Sequence, residues 1–499
     1  MKIHDVSPHK PGEVLAKPDQ LAWKLAAVAL DPTPNDADAV DMAINRIIDN
    51  AGVAIAAINN RAVANARAQA LAHPREGGAT VLGVPNDTRV HCEWAAWANA
   101  TAVRELDFHD YFGGVDSGHP GDNIPSIIAA AEQCACTGDA LARGIIIAYE
   151  TQISMAKGLN IKRHGLENLG NVGPGVAAGI GAMMGLDIET LYEALQQAAH
   201  VSQTVRQTRR GDITSWKAYA PGHVGKLAIE AVDRALRGER SPTPIYEGTD
   251  GILARQVGGD TGHIPLAEPG EPKTQILETF TKEHSIGYHG QAIVDLAFKM
   301  RDQLDNLENI ESIVLLTKRN THNVMGCGGN DPQKYDPDAS RETLDHSGMY
   351  AFAVALEDGA WHHINSYLPE RTHRPETVTL WKKISTVESE EWNKRYDDPP
   401  PLERDHGCRA VVTYKDGRQV IDELGVANAH PRGARPFARP EYINKYLTLA
   451  DGIVEAGESE RFLDTVQRLA DLKPEEISGL NIALDPGKLE MLTPKRSIF

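Results

Sequence analysis

Titratable side chains are concentrated in one stretch, residues 105–123. Asp107, His109, Asp110 and His119 fall within thirteen residues, and glycines interrupt the sequence between them. If this glycine-containing loop folds back, the carboxylate of Asp107 and the imidazole of His119 converge in an arrangement suited to acid–base chemistry. A solvated loop between two helices would have the same composition, and His109 and Asp110 also fit capping or supporting roles.

Cationic side chains precede two later predicted helices. His164 belongs to a basic run before a helix of small residues, where an anion could bind, although a solvated turn is the alternative. Lys217 follows Trp216, with Arg209 and Arg210 a few residues earlier. These residues could clamp a carboxylate, and the alternative for Lys217 is an ordinary surface lysine.

Two further clusters lie in the second half of the chain. Lys282, Tyr288 and His289 fall within ten residues, next to an apolar helix at an expected domain junction, which is a usual place for an active site. Tyr350 follows the run Asp-His-Ser-Gly-Met and begins another apolar helix. It could face a ligand, or it could be a core tyrosine behind a capping turn.

The composition excludes several classes of protein. The chain has 499 residues, 41% hydrophobic residues and a formal charge of −18, which indicates a folded protein without the basic surface of a nucleic-acid-binding protein. Five cysteines without metal-ligand spacing predict neither a disulfide framework nor an iron–sulfur cluster. Signal-peptide and membrane-span patterns are absent, so we expect a cytoplasmic protein that does not bind membranes.

Helical periodicity dominates the first 240 residues, and many alanines and glycines stand at contact positions. Such small residues let helices approach closely and predict a compact multi-helix core. The polar residues 1–18 are expected to form an arm. The stretch 239–276, rich in Gly, Pro and Asp, is expected to be a linker or a surface loop.

Strand patterns appear only after this stretch. Residues 312–317 and 378–381 are short and rich in β-branched residues, and residues 409–421 have the pattern of a hairpin with Asp-Gly at its turn. Helical periodicity returns from residue 440. We therefore predict a mainly α protein with a large all-helical domain formed by residues 1–276 and 431–499, and an inserted α+β domain at residues 277–430.

Five separated segments, taken in order, carry a family resemblance. They are Leu106–Asp110 with Gly118–Asn123, Lys217 with Gly222–Lys226, Lys282 with His289, Asp345–Ser347 with Tyr350, and the pair of runs 315–334 and 427–436. Together they resemble the MmgE/PrpD family, and the last pair looks like its 2-methylcitrate dehydratase branch.

The resemblance implies an active site in the cleft between a helical domain and an α+β lid domain. It also implies a homodimer, a small tricarboxylate substrate, and chemistry without a metal or other cofactor. By matching the pattern of the family's cis-aconitate decarboxylases, it implies a set of catalytic residues: Asp107, His119, His164, Lys217, Lys282 and Tyr350. The residues expected to bind substrate are Arg209, Arg210, Tyr111, His109, Tyr288 and His289.

The implied reaction is the dehydration of 2-methylcitrate to 2-methyl-cis-aconitate by a hydro-lyase of the methylcitrate cycle of propionate catabolism. Our hypothesis is that His119 and Asp107 form the acid–base pair, that Tyr350 donates or steadies a proton, and that the lysines hold carboxylates. The alternatives are cis-aconitate decarboxylation, dehydration of citrate or another hydroxy acid, and tricarboxylate binding without chemistry. His109, Tyr111 and Tyr288 depart from the decarboxylase pattern.

Overall fold

Helices fill the first half of the chain. The computed structural model describes residues 1–209, 211–490, 492 and 496–499. Up to residue 276 the elements are β1 (Lys2–Val6), α1 (Leu21–Ala29), α2 (Ala37–Ala56), α3 (Arg61–Leu71), β2 (Pro74–Thr80), β3 (Arg89–Val90), α4 (Cys92–Glu105), β4 (Phe112–Gly113), β5 (Ser117–Gly118), α5 (Ile124–Gln133), α6 (Gly138–Gly158), α7 (Leu169–Met184), α8 (Ile188–Val201), α9 (Trp216–Leu236), α10 (Ile252–Arg255) and β6 (Gly262–Leu266).

Small residues set the spacing of these helices. α6 packs against α7 so closely that a Cβ atom on Gly179 would lie 2.5 Å from the carbonyl oxygen of Gly144. A larger residue at this contact would force the helices apart. α4 packs against α9, and the loop of residues 105–123 leaves the end of α4. Of the helices in the described part of the chain, none is both long and apolar enough to cross a membrane.

A mixed sheet and its helices form the middle of the chain. The elements are α11 (Gln291–Arg301), β7 (Ile310–Thr317), α12 (Arg319–Val324), α13 (Arg341–Leu344), α14 (Gly348–Asp358), α15 (Pro369–Thr372), α16 (Pro375–Trp381), β8 (Ile384–Glu388), α17 (Glu390–Asp397), β9 (Cys408–Tyr414) and β10 (Gln419–Leu424). The strand order is β10-β9-β7-β8, with β7 parallel to β8 and antiparallel to β9. α11 and α14 pack together beside this sheet and share its hydrophobic core.

The end of the chain returns to the first part. α18 (Arg439–Ala450) packs along α2, and α19 (Ala456–Gln467) follows it. Tyr446 and Phe462 belong to the hydrophobic core of the first part, whereas the core of the middle part is separate. The protein is therefore mainly helical, as predicted. The boundaries after residues 276 and 430, and the lid, stay predictions.

Two local predictions were wrong. Residues 378–381, predicted as a strand, lie in α16, whose first residue is Pro375, and the strand β8 comes just after it. A short apolar run does not distinguish a strand from a buried helix, and proline favours the first turn of a helix. Residues 1–18 are not only an arm, because β1 pairs antiparallel with β6, inside the predicted linker. Such a distant pairing leaves no local signal.

Candidate active site

Asp107 is the centre of a buried group of charged side chains. It follows α4 with a φ of +48°, a left-handed conformation that is costly for a residue other than glycine. Lys282 Nζ donates one hydrogen bond to the Asp107 carbonyl oxygen at 2.7 Å and another to its Oδ1 at 2.6 Å. Lys217 Nζ lies 3.1 Å from Oδ2, and Arg104 Nη1 lies 3.6 Å from Oδ1. These cations stabilise both the charge and the unusual backbone of Asp107.

The proton affinities of this group are strongly shifted. Burial alone would raise the pKa of Asp107, but Arg104, Lys282 and Lys217 outweigh it and hold that pKa well below its usual range. Burial lowers the pKa of Lys282 to about 8, although Asp107 acts in the opposite direction. The site therefore combines an ionised carboxylate with a lysine that can lose its proton close to neutral pH.

His119 approaches Asp107 from the far end of the loop. Its Nδ1 lies 2.7 Å from the carbonyl oxygen of Asp110, which can only accept a hydrogen bond, so the Nδ1 carries the proton. Its Nε2 lies 3.7 Å from Asp107 Oδ1. Burial, followed by the charges of Arg104 and Lys282, holds the pKa of His119 well below its usual range. The ring is therefore neutral near pH 7, with a free electron pair on Nε2, and its side chain is 13% exposed.

A second carboxylate, Asp345, reaches the same place from the middle part of the chain. Lys217 Nζ donates to its two oxygens at 3.0 and 2.9 Å and so bridges Asp345 and Asp107. His346 Nδ1 is hydrogen-bonded to Asp345, and His346 Nε2 lies 4.0 Å from Asp107 Oδ2. Lys217 and His346 outweigh burial and lower the pKa of Asp345 to about 2. Sequence reasoning selected Tyr350 from this segment and missed Asp345 and His346, although the adjacent Asp-His pair was a signal.

Buried hydrogen bonds fix the shape of the loop. Asp110 accepts from the backbone N–H of Gly121 at 2.9 Å and from the Tyr149 hydroxyl at 2.7 Å. His109 Nε2 lies 2.9 Å from Asp122 Oδ1, and the His109 side chain is fully buried. His109 and Asp110 therefore have the supporting role that was one of their two interpretations. Substrate contact by His109 stays a prediction.

Three of the predicted substrate-binding residues form an aromatic wall beside His119. The rings of Tyr111 and Tyr288 stack with their centroids 4.5 Å apart and an angle of 7° between their planes. The Tyr111 hydroxyl lies 3.5 Å from His289 Nε2, and Asn320 Nδ2 lies 3.2 Å from the same nitrogen. Tyr111 also contacts His119 edge to face, with ring centroids 5.8 Å apart. The wall and the Asp107 group are therefore neighbours.

Two family models match most of the chain. The MmgE/PrpD N-terminal domain matches residues 19–263, and the MmgE/PrpD C-terminal domain matches residues 284–471. The chain is a member of the MmgE/PrpD family. The resemblance of the five sequence segments is thereby confirmed.

Curated relatives of this MmgE/PrpD protein are named as dehydratases. The mitochondrial 2-methylcitrate dehydratase of Yarrowia lipolytica is 25% identical over 383 residues, which cover 73% of this chain and 71% of the relative. The 2-methylcitrate dehydratase of Salmonella typhimurium is 24% identical, and the match covers 74% of this chain and 77% of the relative. The 2-methylcitrate dehydratase of Escherichia coli K12 is 23% identical, and the match covers 68% of this chain and 71% of the relative. These relatives confirm the expectation of an enzyme similar to the 2-methylcitrate dehydratases.

Other predicted site residues of this MmgE/PrpD protein contact different partners. His164 Nε2 lies 2.6 Å from Asp260 Oδ2. The Tyr350 side chain lies in the hydrophobic core of the middle part, and its hydroxyl donates a hydrogen bond to the carbonyl oxygen of Ser366. Arg209 Nε lies 3.3 Å from Glu167 Oε2, and Arg210 lies outside the described residues. The site roles of these four residues stay predictions.

Acidic and histidine side chains lie close enough together in two places to bind a metal ion. Among the described residues, Asp107, Asp345 and His346 form one group whose ligand atoms could converge on a metal ion, and Glu283, His284 and Asp295 form another. In the first group, the Lys217 ammonium lies within 3.1 Å of both carboxylates, so it already provides the positive charge that a metal ion would bring. A reaction without a metal or cofactor stays a prediction.

Proposed function

We propose that this MmgE/PrpD protein is a hydro-lyase that dehydrates 2-methylcitrate to 2-methyl-cis-aconitate. The observation that carries the proposal is the orientation of His119. Its Nδ1 proton is held by the Asp110 carbonyl oxygen, so its basic Nε2 is left facing the Asp107 group. The substrate in this proposal is inferred from the relatives, since all three are named 2-methylcitrate dehydratases.

The proposed chemistry is an elimination of water. His119 Nε2 takes a proton from the carbon next to a carboxylate, and the electron pair of that C–H bond becomes the new C=C bond. The C–O bond of the hydroxyl group breaks, and the oxygen leaves as water after receiving a proton. The starting hydroxy acid therefore yields one alkene and one water molecule.

The lysine pair supplies the positive charge and the proton in this proposal. Removal of the C–H proton places negative charge on the substrate carboxylate, which Lys217 and Lys282 stabilise from beside Asp107. The pKa of Lys282, lowered to about 8 by burial, suits proton transfer to a leaving hydroxyl group. We prefer Lys282 to Tyr350 as proton donor, because the Tyr350 hydroxyl is engaged by the Ser366 carbonyl oxygen.

We also propose that residues 277–430 form a lid over the helical domain, with the site in the cleft between them. Asp107 and His119 belong to the first part of the chain, whereas Asp345 and His346 belong to the middle part, which has its own core. The homodimer and the cytoplasmic location also stay predictions; one relative is named as mitochondrial.

The test is a side-by-side assay of the purified, chelator-treated protein with 2-methylcitrate, citrate and cis-aconitate. Ultraviolet absorbance of the conjugated alkene reports dehydration, and released carbon dioxide reports decarboxylation. We expect alkene formation to be fastest from 2-methylcitrate and to survive chelation. Carbon dioxide release from cis-aconitate without alkene formation would contradict the proposal, and so would activity that returns only when iron is added.

The variant His119→Gln tests the proposed base, since glutamine cannot accept the proton. We expect its dehydration rate to fall by about 10²- to 10⁴-fold. The matched control is His263→Gln, because His263 is 66% exposed on β6 and pairs with Asp5. The control should keep the wild-type rate. Equal rates in both variants would contradict the role of His119.

A further inference from the structure

A buried lysine outside the Asp107 group lies without an acidic ion-pair partner. Lys318 directly precedes α12, and only 1% of its surface is exposed. Among the described residues, no carboxylate oxygen is within ion-pair distance of its Nζ, which lies beside His406 and 3.7 Å from the ring centroid of Tyr396. The carboxylates whose charges act on Lys318 are Asp397, the exposed last residue of α17, and Asp405, which is bound at 2.8 Å by Arg395 and at 2.9 Å by Arg432. The positive charge of Lys318 is therefore poorly compensated within the protein.

Two buried histidines beside Lys318 have a ring nitrogen without a hydrogen-bond partner. Lys318 Nζ lies 3.0 Å from His406 Nδ1, and when the ammonium donates this bond the proton of the ring is on Nε2. His289 Nε2 receives the amide of Asn320 at 3.2 Å, so its proton is on Nδ1. His406 Nε2 and His289 Nδ1 are both buried and unpartnered. An unpaired buried donor costs free energy, which an acceptor supplied by a ligand would recover.

This group adjoins the candidate active site. His289 lies against Tyr111, and the rings of His289 and His406 have centroids 6.1 Å apart. The rings of Tyr111 and His406 are 6.2 Å apart and nearly perpendicular. Tyr111 comes from the loop after α4, whereas Lys318 and His406 flank strands of the middle part. The group thus lies where the first and middle parts of the chain meet, as the Asp107 group does.

We propose that Lys318, His406 and His289 form a subsite that binds one carboxylate of the substrate. The inference rests on the proposed function, which requires a tricarboxylate ligand. A carboxylate has two acceptor oxygens and one negative charge, and it would pair with the ammonium and with the free ring N–H groups. Lys318, His406 and His289 are all buried in this structure, so ligand entry requires movement of the surrounding side chains.

The protonation of Lys318 agrees with this role. Burial and the charge of Arg404 hold the pKa of Lys318 well below its usual range in the free protein. A bound carboxylate would raise this pKa again, so ligand binding should take up a proton in the pH range where Lys318 of the free protein is neutral. Calorimetry in two buffers of different ionisation enthalpy measures that uptake directly.

The test uses tricarballylate, a tricarboxylate without a hydroxyl group that cannot be dehydrated. Calorimetry gives its Kd for the wild type, Lys318→Met and Lys318→Arg. We expect Lys318→Met to weaken binding by about tenfold or more, and Lys318→Arg to weaken it less, because a charge-assisted hydrogen bond is lost only in the first. Lys299→Met is the matched control, since Lys299 pairs with Asp422 on the exposed side of the middle part, and it should bind like the wild type.

Dicarboxylates identify the effect as a carboxylate contact. Glutarate lacks the central carboxylate of tricarballylate, and succinate lacks one terminal arm. For one of the two, the difference between the wild type and Lys318→Met should disappear, together with the proton uptake. An unchanged Kd for tricarballylate in Lys318→Met, a lowered Tm without a changed Kd, or no binding by the wild type would each overturn the subsite. If Lys318 proves necessary for binding but 2-methylcitrate is not dehydrated, the subsite stands and the proposed function fails.

Discussion

The two halves of the candidate site differ in whether their charged side chains are paired with one another. Around Asp107 the carboxylates and cations are paired with one another, and Lys217 bridges Asp107 to Asp345 within 3.1 Å. Around Lys318 there are an ammonium and two histidines, and no carboxylate of the described residues pairs with the ammonium. Paired charges hold a catalytic group in one geometry before the ligand arrives. Unpaired donors await the ligand, so the first half is suited to chemistry and the second half to binding.

The largest effect is expected from Asp107→Asn, which breaks the paired half. The change leaves Lys282 and Lys217 buried beside a neutral amide, so we expect a loss of about 3–5 kcal/mol in the free energy of unfolding. The rate of dehydration should fall by about 10³-fold or more, because the Asp107 carboxylate no longer holds the charged side chains in place beside His119. Denaturant unfolding and steady-state kinetics measure the two losses.

The control for Asp107→Asn is Asp31→Asn, which removes a mostly buried pair with Lys273, at 2.7 Å; the side chain of Asp31 is hydrogen-bonded to Thr33, Gly270 and Lys273. It should lower stability while leaving kcat close to the wild-type value. A comparable loss of kcat in both variants would show that Asp107 acts only through stability.

The second expected effect is a loss of activity at alkaline pH, caused by Lys282. Because its pKa is lowered to about 8, kcat should decline as the pH rises through about 8 and the proton donor is lost. Lys282→Arg keeps a positive charge that is not lost in this range, so the alkaline decline should disappear even though the rate at neutral pH is lower. An alkaline decline that is unchanged in Lys282→Arg would assign it to another group.

A third effect concerns acid pH and the pair of Asp345 with Lys217. The pKa of Asp345 is lowered in the folded protein to about 2, below its value of about 3.9 in an unfolded chain. Its contribution to stability is therefore present above about pH 4 and is lost as the pH falls toward 2. Asp345→Asn should flatten the dependence of the unfolding free energy on pH in this window. A slope equal to that of the wild type would contradict the pairing.

The smallest effect is expected from Tyr111→Phe, on the side of the unpaired half. The stacking on Tyr288 survives, and only the hydroxyl group near His289 is lost. We expect KM to rise by about two- to fivefold with kcat nearly unchanged. A fall in kcat with constant KM would instead place the hydroxyl group in the chemical step.

Local patterns predicted the paired half better than the unpaired half. The glycine-containing loop indicated that Asp107 and His119 could converge, and the structure places Nε2 of the histidine 3.7 Å from the carboxylate. Lys217 and Lys282 were selected from their neighbours in sequence and family motifs, and both contact Asp107. These residues carry their signal in short runs whose composition is unusual.

The remaining residues depend on contacts between distant segments. Lys318 meets His406 across 88 positions of the chain, so no spacing rule brings them together. The pairing of β1 with β6 was missed for the same reason. His164 illustrates the opposite case, because a basic run suggested an anion site and the structure supplies Asp260 as its partner. Only tertiary packing decides whether such charges are already neutralised.

The role proposed for His119 is to move the carbon-bound proton of 2-methylcitrate. Running the reverse hydration of 2-methyl-cis-aconitate in D₂O tests it most directly, with NMR detection of deuterium in the product. If His119 has this role, the wild-type protein makes 2-methylcitrate with one deuterium at the carbon that receives the proton, and His119→Gln makes none above background. Deuterium incorporation by His119→Gln at the wild-type rate would contradict this role of His119.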